Sequence, residues 1–160
     1  MAISDRNRRK SMAAAQELIP DAQIIGYAIG RSGVQPTLVV AAMLATAAVG
    51  SGLLYALTGT VVLPGVLLVL VVQHLLSPPR GVVVAQQGIA LTHRSLWNGR
   101  PAKLLSTMAL GYVQPTETSL GRLKVMVGSE PVWMTKGEEA VLRAALFQHP
   151  LTQPAPSPHP

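Results

Sequence analysis

Residues 36–79 read PTLVVAAMLATAAVGSGLLYALTGTVVLPGVLLVLVVQHLLSPP, and no Lys, Arg, Asp or Glu occurs between Arg31 and Arg80. An uncharged stretch of this length fits a bilayer better than a soluble core. Thr58-Gly59-Thr60 divides it into two apolar runs. The first, Thr37 to Leu57, rises ~31 Å as a helix, matching a hydrocarbon core of about 30 Å. The second, Val61 to Leu76, reaches only ~24 Å and ends on Gln73-His74 at headgroup depth. Pro36 precedes the first run and Pro64 falls in the first turn of the second, where a missing amide proton is tolerated. Pro78-Pro79 stops the second run. The expectation is a transmembrane helical hairpin over residues 36–79, with spans at 37–57 and 61–76. Ala45-Thr46-Ala47 resembles a signal-peptidase site, but the charged leader before it is too long for a signal peptide. A re-entrant second segment is the other alternative.

The charges orient this hairpin. Arg6, Arg8, Arg9, Lys10 and Arg31 precede it, and Arg80, Arg94, Arg100 and Lys103 follow it, while the turn between the runs has none. The positive-inside rule then places the protein in the plasma (inner) membrane, multi-pass, with both termini cytoplasmic. Across the 160 residues 49% are hydrophobic and 12% charged, with 13 basic and 7 acidic residues giving +6. Basic residues beside membrane spans account for that balance, and no basic helix or aromatic-basic platform points to nucleic acid. The chain has no cysteine, which excludes disulfides, thiolate chemistry and Cys-based metal sites.

Within the first span Ala41, Ala45, Ala48, Gly52 and Ala56 fall at spacings of four, three, four and four, along one stripe. Small residues let helix backbones approach closely in lipid. Packing against the chain's own second span is the plainer expectation, and docking on another membrane protein the sharper one. Neither span carries a charge, so proton relays and ion pathways lack their usual groups. Residues 1–35 read as a basic, partly helical cytoplasmic segment. Ser4 is placed to cap a helix running to about Ile19, ended by Pro20-Asp21. Gln23 to Gly33 is apolar for a linker, and an interfacial helix and a disordered leader both remain open there.

Beyond Pro79 the pattern becomes short alternating segments. Gly81 to Ala85 is a strand, Gln86-Gln87-Gly88 a turn, and Ile89 to Trp97 a second strand. Asn98-Gly99 is a strong hairpin signal. Leu104 to Met108, Leu110 to Val113, Arg122 to Val127 and Pro131 to Met134 supply further strands. Thr135-Lys136-Gly137-Glu138 matches a capping box, with Glu138 expected to reach back to the cap. Val141, Leu142, Ala145 and Leu146 form the buried stripe of the following helix, and Glu139 pairs with Arg143 on its wet side. The domain spans 80–148, and 149–160 is a proline-rich disordered tail.

The order of these elements, with Val83-Val84-Ala85-Gln86-Gln87-Gly88-Ile89-Ala90-Leu91 and Pro131-Val132-Trp133-Met134, resembles the pleckstrin-homology-like (PH-like) domains of bacterial membrane proteins. The nearest pattern is that of small actinobacterial proteins with a transmembrane hairpin before the domain. The fold class implied is α+β, a membrane hairpin followed by a small antiparallel β domain with a C-terminal helix. In eukaryotic relatives a basic first-hairpin loop binds phosphoinositides. By this alignment that loop is the uncharged Gln86-Gln87-Gly88, so the ligand does not carry over. Bacterial members of this kind are better regarded as interaction or assembly modules.

No enzyme is expected. His74, His93, His149 and His159 are scattered, without metal-ligand spacing. The glycines form no phosphate loop, and Ser51 lies inside a span without a base. No cofactor, metal, nucleic acid or small-molecule substrate is predicted. The expected partners are membrane lipids and another integral membrane protein or complex. Two functions follow: an accessory or assembly subunit, or a module binding anionic lipid surfaces. Arg94, Trp97, Arg100, Lys103, Arg122, Lys124 and Trp133 are the residues expected to make the contact in either case.

Overall fold

Among the described residues seven strands form one antiparallel sheet, in the order β4 (Pro101–Met108), β3 (Gly88–Arg94), β2 (Pro79–Ala85), β1 (Ile24–Ser32), β7 (Glu130–Thr135), β6 (Arg122–Val127) and β5 (Pro115–Ser119). The computed structural model describes residues 4–59, 64–95, 97–109 and 115–148. Along the chain run α1 (Asp5–Leu18), β1 (Ile24–Ser32), α2 (Pro36–Thr58), α3 (Pro64–Leu76), β2 (Pro79–Ala85), β3 (Gly88–Arg94) and β4 (Pro101–Met108). They are followed by β5 (Pro115–Ser119), β6 (Arg122–Val127), β7 (Glu130–Thr135) and α4 (Lys136–Phe147). The expected Leu110–Val113 strand and the 149–160 tail lie outside the described residues.

The central strand comes from the N-terminal segment. β1 pairs with β2 from Ile24↔Ala85 to Arg31↔Pro79, and with β7 at Arg31↔Trp133 and Ser32↔Val132. Residues 24–32 are therefore neither an interfacial helix nor a free leader, and the β domain does not begin at residue 80. Small residues concealed the strand. On the face toward α4 it presents Gly26, Ala28 and Gly30, and a Cβ at Gly26 would run into Ala145, at Gly30 into Val132. That face admits no bulky apolar residue, so the alternation that announces a strand is missing from it. A further consequence is that α2 and α3 form an insertion in the β1–β2 connection. The first hairpin loop of the sheet is this insertion, not Gln86-Gln87-Gly88, which joins β2 to β3.

Two cores cover the two faces. Ala28, Val82, Val84, Ile89, Leu91, Val125, Val127, Val132 and Met134 pack with Leu142 and Ala145 of α4. On the opposite face Ala15 of α1 packs with Tyr27, Val83 and Ala90, with Met12, Ile19 and Leu104 around them. Thr135 caps α4, its hydroxyl accepting from the Glu138 amide at 3.4 Å. Glu139 pairs with Arg143 at 2.6 Å, the expected i,i+4 contact.

Of the described helices only α2, 23 residues long, is long and apolar enough to cross a membrane. α3 has 13 residues, ~20 Å of rise, so the expected pair of spans rests on one qualifying helix. Just 6% of the most apolar window of α2 is buried, unlike a core helix. α2 and α3 lie against each other. Ala41, Ala45, Ala48, Gly52 and Ala56 are nevertheless all exposed, while Ala42, Met43, Thr46, Ala47 and Gly50 are half-buried.

Candidate functional site

A basic and aromatic face lies beside α1, at the foot of the helical insertion. Alternation along the strands sets its members. Arg31 stands opposite Trp133, Trp133 opposite Lys124, and Arg122 opposite Thr135. Arg94 ends β3, and its Nε donates to the Gly99 carbonyl at 2.8 Å. Arg31, Arg94 and Arg122 converge with Trp133, Thr135 and Glu138 around a cavity of about 140 Å³. Burial, then the charges of Arg122 and Arg94, hold the Arg31 guanidinium below its ordinary range. Lys124 Nζ lies 6.0 Å from the centre of the Trp133 ring, within cation–π range.

The cavity is tied to the insertion. Arg31 Nη1 donates to the Ser77 carbonyl at 3.3 Å, and Trp133 Nε1 to the Gly33 carbonyl at 3.4 Å. The backbone ladder runs up the same joint, with Ser32 N to Pro78 O and Val34 N to Leu76 O, both 3.0 Å.

Below it lies a buried ion pair. Arg8 Nη2 is 3.0 Å from Glu138 Oε1, with side chains 13% and 1% exposed. β7 leaves β1 after two pairs, which opens the edge of β1 from Ile29 back toward its start. Arg8 Nη1 donates to the Tyr27 carbonyl at 2.7 Å, and the Ile29 amide donates to Glu138 Oε2 at 3.0 Å. The pair thus supplies partners that a neighbouring strand would have supplied. Glu138 was expected to serve the helix cap; its carboxylate is committed to Arg8 and β1. Burial pushes the Tyr27 phenol up to about 12, against the pull of Arg94. Its hydroxyl lies beside Arg94 and Ser11 without hydrogen-bond geometry to either.

On the α4 side of the joint, His74 of α3 meets His93 edge-to-face with ring centres 6.1 Å apart. Arg80 Nε bonds Glu130 Oε1 at 2.8 Å. Burial alone would raise the Glu130 carboxyl, but hydrogen bonds from Ser32 and Arg80 and the Arg80 charge hold it below its usual range. His93 is lowered by burial, then by Arg80, His74 and Lys103. An unfolded imidazole takes its proton near pH 6.5, while the folded one resists until lower pH. The unfolded state therefore binds more protons there, and stability is expected to fall as pH drops below about 6.5. Thermal midpoints from pH 7.5 to 5.5 should fall less steeply in His93→Gln than in the parent; equal slopes would remove His93 as the cause.

Of the contact residues expected from sequence, Arg94, Arg122, Lys124 and Trp133 share this face. Arg31, expected from sequence only to help orient the hairpin, joins them. Trp97 stands apart, 99% exposed on the β3–β4 turn rather than in a strand, with Arg100 exposed after it and Lys103 exposed on β4. Among the described residues no group of His, Asp and Glu is arranged to hold a metal. No protein-family model, curated protein or solved structure matches the chain.

Proposed function

We propose that this chain is a non-enzymatic integral membrane protein in which α2 and α3 form a two-helix hairpin and the sheet domain is a docking module. It sits multi-pass in the plasma (inner) membrane, with both termini cytoplasmic, as an accessory or assembly subunit of a larger membrane complex. The observation that carries the reading is the pairing of β1 with β2 across the insertion. Strands paired side by side lie on one side of a bilayer, so the chain between them crosses an even number of times. If α2 spans, α3 must return. The 13 residues of α3 rise only ~20 Å, a short return that local thinning accommodates. Leu44, Val49, Leu53, Leu57 and Leu75 are each more than 60% exposed, an apolar surface that water does not favour.

The exposed small-residue stripe supports lateral docking. It faces away from the half-buried side of α2, leaving it free for close approach by a helix of another membrane protein. The docking module of this reading is the antiparallel sheet with its closing helix α4. The test is alkaline extraction of membranes, a C-terminal topology reporter, and copurification of the full chain in mild detergent. The protein should resist extraction, report cytoplasmic, and carry a stoichiometric membrane partner. Ala45→Leu with Gly52→Leu should lower partner recovery at least fivefold without affecting extraction. Release at alkaline pH would end the membrane reading, and partner recovery unchanged by the double substitution would end docking through the stripe.

A further inference from the structure

We infer that the cavity between Arg31, Arg94, Arg122 and Trp133 binds the phosphate of an anionic lipid headgroup in the leaflet at the foot of the helical hairpin. This rests on the reading that α2 and α3 are embedded in a bilayer. Three guanidinium groups converge on one cavity, at a cost that like charges impose on a folded protein. Among the described residues none of the three forms an ion pair with a carboxylate: Arg31 is bonded to the Ser77 carbonyl and Arg94 to the Gly99 carbonyl. Glu138 also lines the cavity, but its charge is matched by Arg8. The net positive charge is thus left for a ligand, and planar guanidinium groups suit phosphate oxygens.

Size and place narrow the class. A cavity of about 140 Å³ has room for a phosphoryl group. Arg31 and Trp133 are bonded to Ser77 and Gly33, the residues that flank the helical pair. His93 pairs with Arg80, next to the start of β2, so the β3–β4 turn with Trp97 lies at this same end of the sheet. A fully exposed Trp beside Arg100 at the base of membrane helices is the arrangement of an interfacial anchor. A lipid phosphate therefore reaches the cavity from the surface on which the domain rests.

Trp133 provides the readout. The full chain carrying Trp97→Phe, in mild detergent, keeps Trp133 as its single tryptophan. Dihexanoyl phosphatidylglycerol should change its fluorescence saturably, and dihexanoyl phosphatidylcholine should not. Arg31→Gln with Arg122→Gln should raise the phosphatidylglycerol midpoint at least tenfold while leaving the thermal midpoint within a few degrees, since two like charges are removed. Equal responses to the two lipids, or a midpoint unmoved by the double substitution, would overturn the site. Saturation by inorganic phosphate at or below the lipid concentration would assign it to a free anion. Saturation by a polyglutamate peptide without a phosphatidylglycerol response would assign it to an acidic protein segment. Alkaline extraction separates the two failures: a chain that is released fails the membrane reading however the titration runs.

Discussion

Glu138→Ala is expected to lower stability by about 3–5 kcal/mol, because it leaves Arg8 buried opposite no charge. The loss has three parts. Arg8 keeps only its bond to the Tyr27 carbonyl, the Ile29 amide loses its acceptor, and the contact joining α1 to the start of α4 disappears. An amide buried without a partner costs about 1–3 kcal/mol by itself. Glu138→Gln should fall between parent and alanine, since a neutral acceptor still serves Ile29. Arg8→Met should also lower stability, since it removes the charge opposite the Glu138 carboxylate, which is 1% exposed. Chemical unfolding in mild detergent, followed by circular dichroism, measures all three. A loss below 1 kcal/mol for Glu138→Ala would mean that the pair does not close the β1 edge.

The second large effect is expected at the joint between sheet and hairpin. Gly33 has φ +97°, and a Cβ there would meet the carbonyl oxygen of Leu76. Gly33→Val combines a left-handed backbone, unfavourable for a β-branched residue, with a collision against rigid backbone. Strain of ~1–3 kcal/mol and overpacking of similar size together suggest on the order of 3 kcal/mol. The damage should be local as well as global. Hydrogen exchange at the amides of Ser32 and Val34, which bond Pro78 and Leu76, should accelerate before that of the central pair Ala28↔Val82. Unchanged exchange at both amides would show that the ladder does not continue into the joint. Because Arg31 and Trp133 are bonded across this joint, the variant should also weaken phosphatidylglycerol binding.

Much of the fold is legible in local pattern. The helices at 36–58 and 64–76 follow from apolar runs bounded by proline and glycine; Gly59 ends the first at φ +68°, a backbone that glycine adopts freely. Leu123, Val125 and Val127 alternate as β6 requires, and Thr135 caps α4. Trp97 was drawn into a strand because it continues the alternation of Ile89, Leu91 and His93. The turn begins earlier, where Ser95 N bonds the Arg100 carbonyl and Gly99 N the Ser95 carbonyl. Of the site, four cations and aromatics were visible as residue types, but nothing in their spacing placed Arg31 among them.

What the sequence determined by itself was therefore the local content: an uncharged helical pair, alternating strands and a capped closing helix, each written in neighbouring residues. The tertiary structure decided that residues 24–32 are the central strand, and hence that the helical pair is an insertion within the sheet. It also decided that Arg8 neutralises Glu138 and that three arginines share one cavity. Arg8 and Glu138 are 130 positions apart, and β1 shows small residues on the face that α4 covers. Periodicity reports which face of an element is buried, not which element buries it. Partners at such separation are chosen by backbone groups that need hydrogen bonds and by surfaces that fit, and both exist only once the sheet has formed.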